Sequence, residues 1–452
     1  MNTYHLSNWQ KGIAALGLAV LSLAQPLAAF AQSPRYIVTN LGNVFAINKK
    51  SPESQNATAM SSDGSKVVGQ VHTVASNGST TTSSFYWDGA MHPILTSNSA
   101  INKPWYVTPS GLVLYQSPPS MYVWTLAGGQ VTLPNGGNSS GASCMNDAGI
   151  IVGSMDDINN ILGVSSTNGT TYARIPARWD RDTLGQWSYI KLPLLPGHNG
   201  GGSWRVDSNG IIIGHSELQT MATNGAILNS DQHIVLWSPS DGFIPHDLGA
   251  PGINPVVHRS LTDPSTLATQ YLYRFGSENR NWYTNGIAPT ELIGTDTTTP
   301  YMNANGLTTG LTTSGQVSGT AGFAGAHRAF YWDTGFPSGA VMDLGVLPGG
   351  IRSEVKPLSQ FTNSMNGAGF IVGNSVSSTS GASIYTAVLS TPDSRLTSSA
   401  KLLDLNSLLN NTLTSVGLTS LTYGVAISDN GKILCHAKTS GGDQRIALLT
   451  IQ

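Results

Sequence analysis

AHRAFYWDTGFPSGAVMDLGVLPGG, Ala326 to Gly350, runs from an apolar-aromatic stretch ending in Trp332-Asp333, through a Gly/Pro/Ser turn, to Val341-Met342-Asp343-Leu344-Gly345 and a Pro-Gly-Gly break. Aromatic and β-branched residues suit a pleated strand, and Gly, Pro and Ser supply turn dihedrals, so the stretch is two short strands and a blunt stop. Its parts recur. The first strand returns as Phe85-Tyr86-Trp87-Asp88, Tyr122-Val123-Trp124-Thr125, Ala177-Arg178-Trp179-Asp180 and Ile234-Val235-Leu236-Trp237. Looser copies are Asn281-Trp282-Tyr283, Tyr385 to Leu389 and Ile446 to Leu449, which makes eight with the original.

Between these copies lies a second recurring hairpin, cleanest as Met145-Asn146-Asp147-Ala148-Gly149-Ile150-Ile151-Val152-Gly153 and repeated from Val206 and Ile427. Further copies start at Met60, Val107, Leu311 and Met365, with a degenerate one at Leu261. An apolar residue precedes Ser, Thr, Asn or Asp, whose short side chain caps the turn. A Gly usually supplies the positive φ, and a β-branched run leaves as the next strand. The starts lie about 38 to 62 residues apart, a period that fits propeller blades.

Each unit supplies four short strands, and one such sheet cannot bury both faces alone. The chain is therefore expected to be all-β, a β-propeller of four-stranded blades. Eight blades fit best; seven would hold if the poor unit at Leu261–Tyr283 were no blade. The last unit stops at its third strand, Ile446 to Ile451. The segment Tyr36-Ile37-Val38-Thr39-Asn40-Leu41-Gly42 resembles the fourth-strand endings Asp247-Leu248-Gly249 and Asp343-Leu344-Gly345. The N-terminal strand is thus expected to complete the last blade and close the ring, removing exposed strand edges. Two packed β-sandwiches would explain strands and turns, but not the fixed four-part order or the matched termini.

The combination "HRAFYWD…GAVMDLGVLPGG" with "SMNGAGFIVGNS" resembles the extracellular repeats of the HAF family, named for a His-Ala-Phe strand; here Arg328 intervenes. The unit at Ala326–Ser375 carries the match best, and partial matches cover most of the chain after the leader. The resemblance implies an exported bacterial repeat protein and names no reaction. The N-terminus agrees. His5 and Lys11 precede the apolar run Ile13 to Leu23, Pro26 breaks it, and Ala29-Phe30-Ala31-Gln32 offers a small-x-small site. This is the layout of a signal peptide over 1–31, cleaved near Ala31, followed by a single propeller domain over 32–452. The product is expected to be secreted or periplasmic. A membrane anchor is the weaker reading because the apolar run is too short, and no later segment is long enough to span.

Composition narrows the partners. The 452 residues include 51 Gly and 23 Pro, only 10% are charged, and the formal net charge is -2. No basic patch marks a nucleic-acid binder and no Asp cluster marks a calcium-loaded surface. No His-x-His, His-Glu-x-x-His or Cys-x-x-Cys spacing marks zinc, although sites assembled across blades leave no local spacing. Gly200-Gly201-Gly202 and Gly349-Gly350 lack the companions of a phosphate cradle, so no cofactor is expected. Cys144 and Cys435 fall on blades far apart in the ring and are expected to be free, buried thiols. The protein is expected to be a monomer.

Propeller topology sorts the connections onto two faces. One set is short, such as Asp88-Gly89, Ala127-Gly128-Gly129 and Ser240-Asp241-Gly242. The other is long and diverse: Val71–Ser83, Met155–Arg174, Ser216–Gln232, Gly294–Leu307 and Val346–Phe361. The diverse face is the candidate functional face. Candidate binding residues at its channel mouth are Trp105, His198, Trp204, Arg205, His258, Arg259 and Asn363, with His233, Glu354 and Lys356 nearby. The unit Val257–Arg280 departs most from the repeat and gathers His258, Arg259, Asp263, Arg274, Glu278 and Arg280, as a polar site or as inter-blade ion pairs. The leading expectation is a non-enzymatic propeller binding a glycan or protein through this face. The alternatives are a secreted polysaccharide lyase or hydrolase, and a structural envelope or adhesion protein. A compact cluster of carboxylate, His and Arg with shifted pKa values would favour the enzyme.

Overall fold

The computed structural model describes residues 34–42, 53–74, 77–94, 103–117, 120–135, 140–165, 169–249, 255–262, 269–275, 281–284, 290–291, 310–312, 315–323, 326–336, 341–355, 364–397 and 401–452. The leader at 1–31 and the segment Gly294–Leu307 lie outside them. Eight four-stranded antiparallel sheets account for nearly all of the structure. Blades 1 to 7 each take four strands in chain order, over 53–94, 104–132, 140–191, 200–247, 255–291, 310–343 and 350–404. Blade 8 takes Ser420–Ile427, Ile433–Lys438 and Gln444–Ile451, and its fourth strand is Tyr36–Asn40. Tyr36 pairs with Ile451 and Asn40 with Ala447, so the two ends of the chain share one sheet. Strand contacts link each blade to the next, including blade 8 back to blade 1. The ring is an eight-bladed propeller closed by its N-terminal strand, as the repeats and matched ends imply.

The recurring Ile/Val-Gly of the second strand has a steric cause. First strands bulge at Ala57/Ala59, Ala142/Cys144 and Ser203/Arg205, which pushes a backbone carbonyl over the neighbouring strand. A Cβ on the facing glycine would stand 2.2 Å from Asn56 O at Gly69, 2.0 Å from Gly141 O at Gly153 and 2.1 Å from Gly202 O at Gly214. Backbone atoms cannot swing aside. Gly214→Ala is therefore expected to destabilise by about 3 kcal/mol, the upper end for overpacking. Urea denaturation measures it, and a loss under about 0.5 kcal/mol, the range of a surface change, contradicts this origin of the motif.

The recurring tryptophans stitch blades together. Trp179 and Trp237 are fully buried, and each indole N–H donates at 2.7 Å to a proline carbonyl leaving the preceding blade, Pro134 and Pro193. Asp333 caps its own turn at Gly335 N and accepts from the Tyr331 hydroxyl, so the Trp-Asp pair is scaffold. Cys144 and Cys435 are buried and unbonded, on the first strand of blade 3 and the second strand of blade 8.

His436 sits inside blade 8, and burial pushes its pKa down to about 4. The folded state binds its proton less readily than the unfolded chain, whose histidine titrates near ~6.5. Stability from this site is complete above that value and is lost as the pH falls toward 4. The full loss is about 3 kcal/mol, from ~1.4 kcal/mol per pKa unit. Denaturation midpoints across this window should show wild type losing stability relative to His436→Phe on acidification; parallel curves would contradict the burial argument.

The two faces differ sharply. On the short-turn face the Ser62 hydroxyl of blade 1 donates to Asp147 of blade 3, and the Asp429 N–H of blade 8 donates to the Ser62 carbonyl. Turns from three blades, two of them not adjacent, thus meet at this end. On the opposite face two of the expected long connections, Met155–Arg174 and Ser216–Gln232, prove to be raised hairpins. In blade 3, Ile151–Ser165 pairs with Gly169–Arg181 as far as Ser165 opposite Gly169, and in blade 4 Ile212–Met221 pairs with Ile227–Trp237 as far as Met221 opposite Ile227. Both ladders continue past register shifts, at Asp157/Ile161 in blade 3 and Ser216/Leu218 in blade 4. Among the described residues no helix is long and apolar enough to cross a membrane.

Candidate functional site

Blade 4 carries the site on its raised-hairpin face. The segment Leu195-Pro196-Gly197-His198 opening the blade is a tight turn: Pro196 sets φ for its second position, Gly197 has φ 85°, and His198 N–H donates to Leu195 O at 3.1 Å. Asn199 then clamps the Gln219 backbone, accepting from its N–H at 2.6 Å and donating to its carbonyl at 2.9 Å. Across the hairpin the register slips between Ser216 opposite His233 and Leu218 opposite Ser230, so Asp231 and Gln232 bulge opposite Glu217. Asp231 takes φ 49°, a left-handed conformation that Asp tolerates better than most side chains.

The bulge turns Asp231 toward two histidines. His198 Nε2 lies 3.3 Å from Asp231 Oδ2, and His233 Nε2 lies 3.3 Å from Asp231 Oδ1. The two rings are 5.5 Å apart and edge-on. Each Nδ1 is held from behind: His198 by Ser216 Oγ at 2.9 Å, His233 by both Asp247 oxygens at 2.9 Å. Ser216 Oγ also accepts from Leu195 N–H at 3.1 Å, and Asp247 accepts from Gly249 N–H at 2.7 Å. The side chain of His198 is 7% exposed and that of His233 26%, whereas Asp231 is 65% exposed, so the group opens to solvent through its carboxylate.

Charge is poised accordingly. Hydrogen bonding to Asp247 raises the pKa of His233 against a smaller opposing effect of burial. The hydrogen bond from His198, with that from His233, holds the Asp231 carboxyl below its ordinary range. Behind them Glu217 is buried. Burial alone would raise its pKa, but hydrogen bonds from His215, Gln219 and Gln232 outweigh it and keep the carboxylate charged. His215 is in turn stacked on Trp204, ring centroids 4.6 Å apart. Two histidines and a carboxylate in this arrangement, with the pKa of His233 raised and that of Asp231 lowered, can move protons at a bound substrate, and the same three side chains can hold a cation.

Of the candidate residues, the structure brings only His198 into this group, with His233 from its neighbourhood. Trp204 lies one layer behind, against His215. Arg205 is buried, and its guanidinium donates to the carbonyls of Trp204 at 2.8 Å and Ser143 at 3.4 Å, joining blades 4 and 3. Trp105 is half-buried on the first strand of blade 2, in another part of the ring. Glu354 pairs with Arg352 at 3.5 Å on blade 7. Asn363, Lys356, Asp263, Glu278 and Arg280 lie outside the described residues, as do the side chains of His258, Arg259 and Arg274. Asp231 and Asp247 were missed because they belong to the hairpin bulge and the fourth strand, not to a blade-opening segment. The group draws on the segment opening blade 4, through His198, and on the blade's third and fourth strands, through Asp231, His233 and Asp247.

No family model matches the chain, and no curated protein matches it in sequence. Solved structures do. The chain is similar to puromycin hydrolase at 12% identity and TM-score 0.44, over 90% of this chain and 60% of that one. It is similar to an oligogalacturonate lyase in complex with manganese at 11% and 0.37, over 92% and 93%. The β-propeller domain of the Trilobed protease from Pyrococcus furiosus matches at 8% and 0.39, over 78% and 98%. The chain spans about 60% of the length of puromycin hydrolase. These likenesses are of fold. The expectation of a non-enzymatic binder is corrected on the geometry of this face, which carries a compact carboxylate–histidine group in which Asp231 and His233 have shifted pKa values, the feature expected of the enzyme alternative, though without an arginine.

Proposed function

We propose that the protein is an exported bacterial enzyme that cleaves a polysaccharide, as a lyase or a hydrolase, at the group Asp247–His233–Asp231–His198. One observation carries the reading: two back-braced histidines and a bulged, solvent-open carboxylate converge on the hairpin face. Amide side chains are frequent on the same hairpin face: Asn160 and Asn199 donate to the backbone, and Gln219 and Gln232 to Glu217. The leader layout at 1–31 and the HAF-like repeats support export and a bacterial source. The test is a panel of neutral and uronate-containing polysaccharides scored two ways. New reducing ends report any cleavage, and ultraviolet absorbance of an unsaturated sugar separates lyase from hydrolase. A protein that leaves the whole panel intact contradicts the proposal.

A further inference from the structure

We infer that His198, Asp231 and His233 together bind one divalent transition-metal ion, which deepens the enzyme reading and rests on the same group. Among the described residues they are the three side chains that offer one ligand atom each, all within 4.8 Å of one another. The spacing is telling. A charge-assisted N–H···O bond closes to about 2.7–2.9 Å, and the His233 Nδ1 contact with Asp247 does so at 2.9 Å. Each Nε2 instead stands 3.3 Å from its own oxygen of Asp231, His198 from Oδ2 and His233 from Oδ1, so that the carboxylate would meet a shared ion with both oxygens. Ligands around a tetrahedral ion with bonds of about 2.0–2.1 Å are about 3.3–3.4 Å apart. The Nε2 atoms are placed to share an ion with Asp231.

The support behind the ligands has the same character. A metal-bound imidazole donates its other N–H to a carboxylate or another fixed acceptor, which sets the tautomer and the ring. Asp247 stands behind His233 in this way, and Ser216 behind His198. Blade 7 supplies an internal comparison. Its opening turn Leu347-Pro348-Gly349-Gly350 closes identically, Gly350 N–H to Leu347 O at 2.8 Å, and Ser375 Oγ accepts from Leu347 N–H at 3.1 Å as Ser216 does from Leu195. Gly350 and Thr386 occupy the places of His198 and His233 there. The scaffold closes without histidines, so in blade 4 they serve something other than the fold. Two imidazoles and one carboxylate suit Zn²⁺, Mn²⁺, Fe²⁺ or Co²⁺ better than Ca²⁺ or Mg²⁺. Three protein ligands with an exposed carboxylate leave positions free for water or a substrate oxygen, as in catalytic rather than structural sites.

The test uses the purified protein, stripped with chelator and then loaded separately with Zn²⁺, Mn²⁺ and Co²⁺, desalted, and assayed by elemental mass spectrometry. One ion per chain is expected with at least one metal, and the Co²⁺ form should show a visible d–d band. His198→Ala and His233→Ala should each lower affinity at least 100-fold, and Asp247→Asn 10- to 100-fold, with unchanged circular dichroism. His92→Ala, on blade 1, should bind as wild type does. Wild-type protein that takes up none of the three ions overturns the inference even if it degrades polysaccharide; so does His233→Ala binding as tightly as wild type. Protein that binds one ion through these side chains and cleaves nothing sustains the inference and overturns the enzyme reading.

Discussion

Starting the chain at Gly42 is expected to leave no stable ring. The lost strand makes five register pairs with Ala447–Ile451, and Tyr36 and Val38 are buried in the core of blade 8 beside Leu405, Leu418, Leu421 and Leu449. Asn411 clasps Val38 on both sides, accepting its N–H at 2.8 Å and donating to its carbonyl at 2.9 Å, while Asn410 N–H donates to Tyr36 O at 2.8 Å. Without the strand, blade 8 presents a bare edge and loses the contacts by which the two chain ends hold each other. A point change isolates the same effect: Val38→Asp places a carboxylate at a site 1% exposed, a loss of more than about 4 kcal/mol. Size-exclusion chromatography and urea denaturation read both variants. A truncated chain with a wild-type midpoint would mean the ring does not depend on that strand.

His233→Ala is expected to lower the rate of polysaccharide cleavage by at least about 100-fold, since it removes one of the three side chains that form the site and hold its ion. Its partners are exposed carboxylates, so the fold should survive the change. Asp247 is a positioning residue. Asp247→Asn keeps its shape and loses the charge that orients His233, and should cost about 10- to 100-fold with KM nearly unchanged. The graded pair separates a working site from a merely structural one: a structural role would move the denaturation midpoint and leave kcat per folded molecule alone.

The fold was legible because blade geometry repeats its demands. A carbonyl pushed out by a first-strand bulge requires Gly at 69, 153 and 214, and a buried indole that ties one blade to the last requires Trp at 179 and 237. Repetition turned these constraints into a visible period. The raised hairpins were not legible, because polar ladders such as Asp156 opposite Arg174 carry no apolar alternation to mark them as strand. The site was half legible. His198 follows a Pro-Gly turn that sequence can locate, and His233 falls four residues before a strand-ending Trp, where the other blades place Ser83, Ile175 and Arg328. Asp231 reaches them only through a bulge, and Asp247 only through fourth-strand register, and neither leaves a spacing in the chain.

The most direct measurement of the central claim is the rate at which new reducing ends appear from a responsive polysaccharide, with wild type and His233→Ala assayed side by side at equal folded concentration. The predicted result is turnover by wild type and a loss of at least 100-fold in the variant. Equal rates from the two proteins would place the chemistry elsewhere and contradict the assignment of blade 4 as the working site.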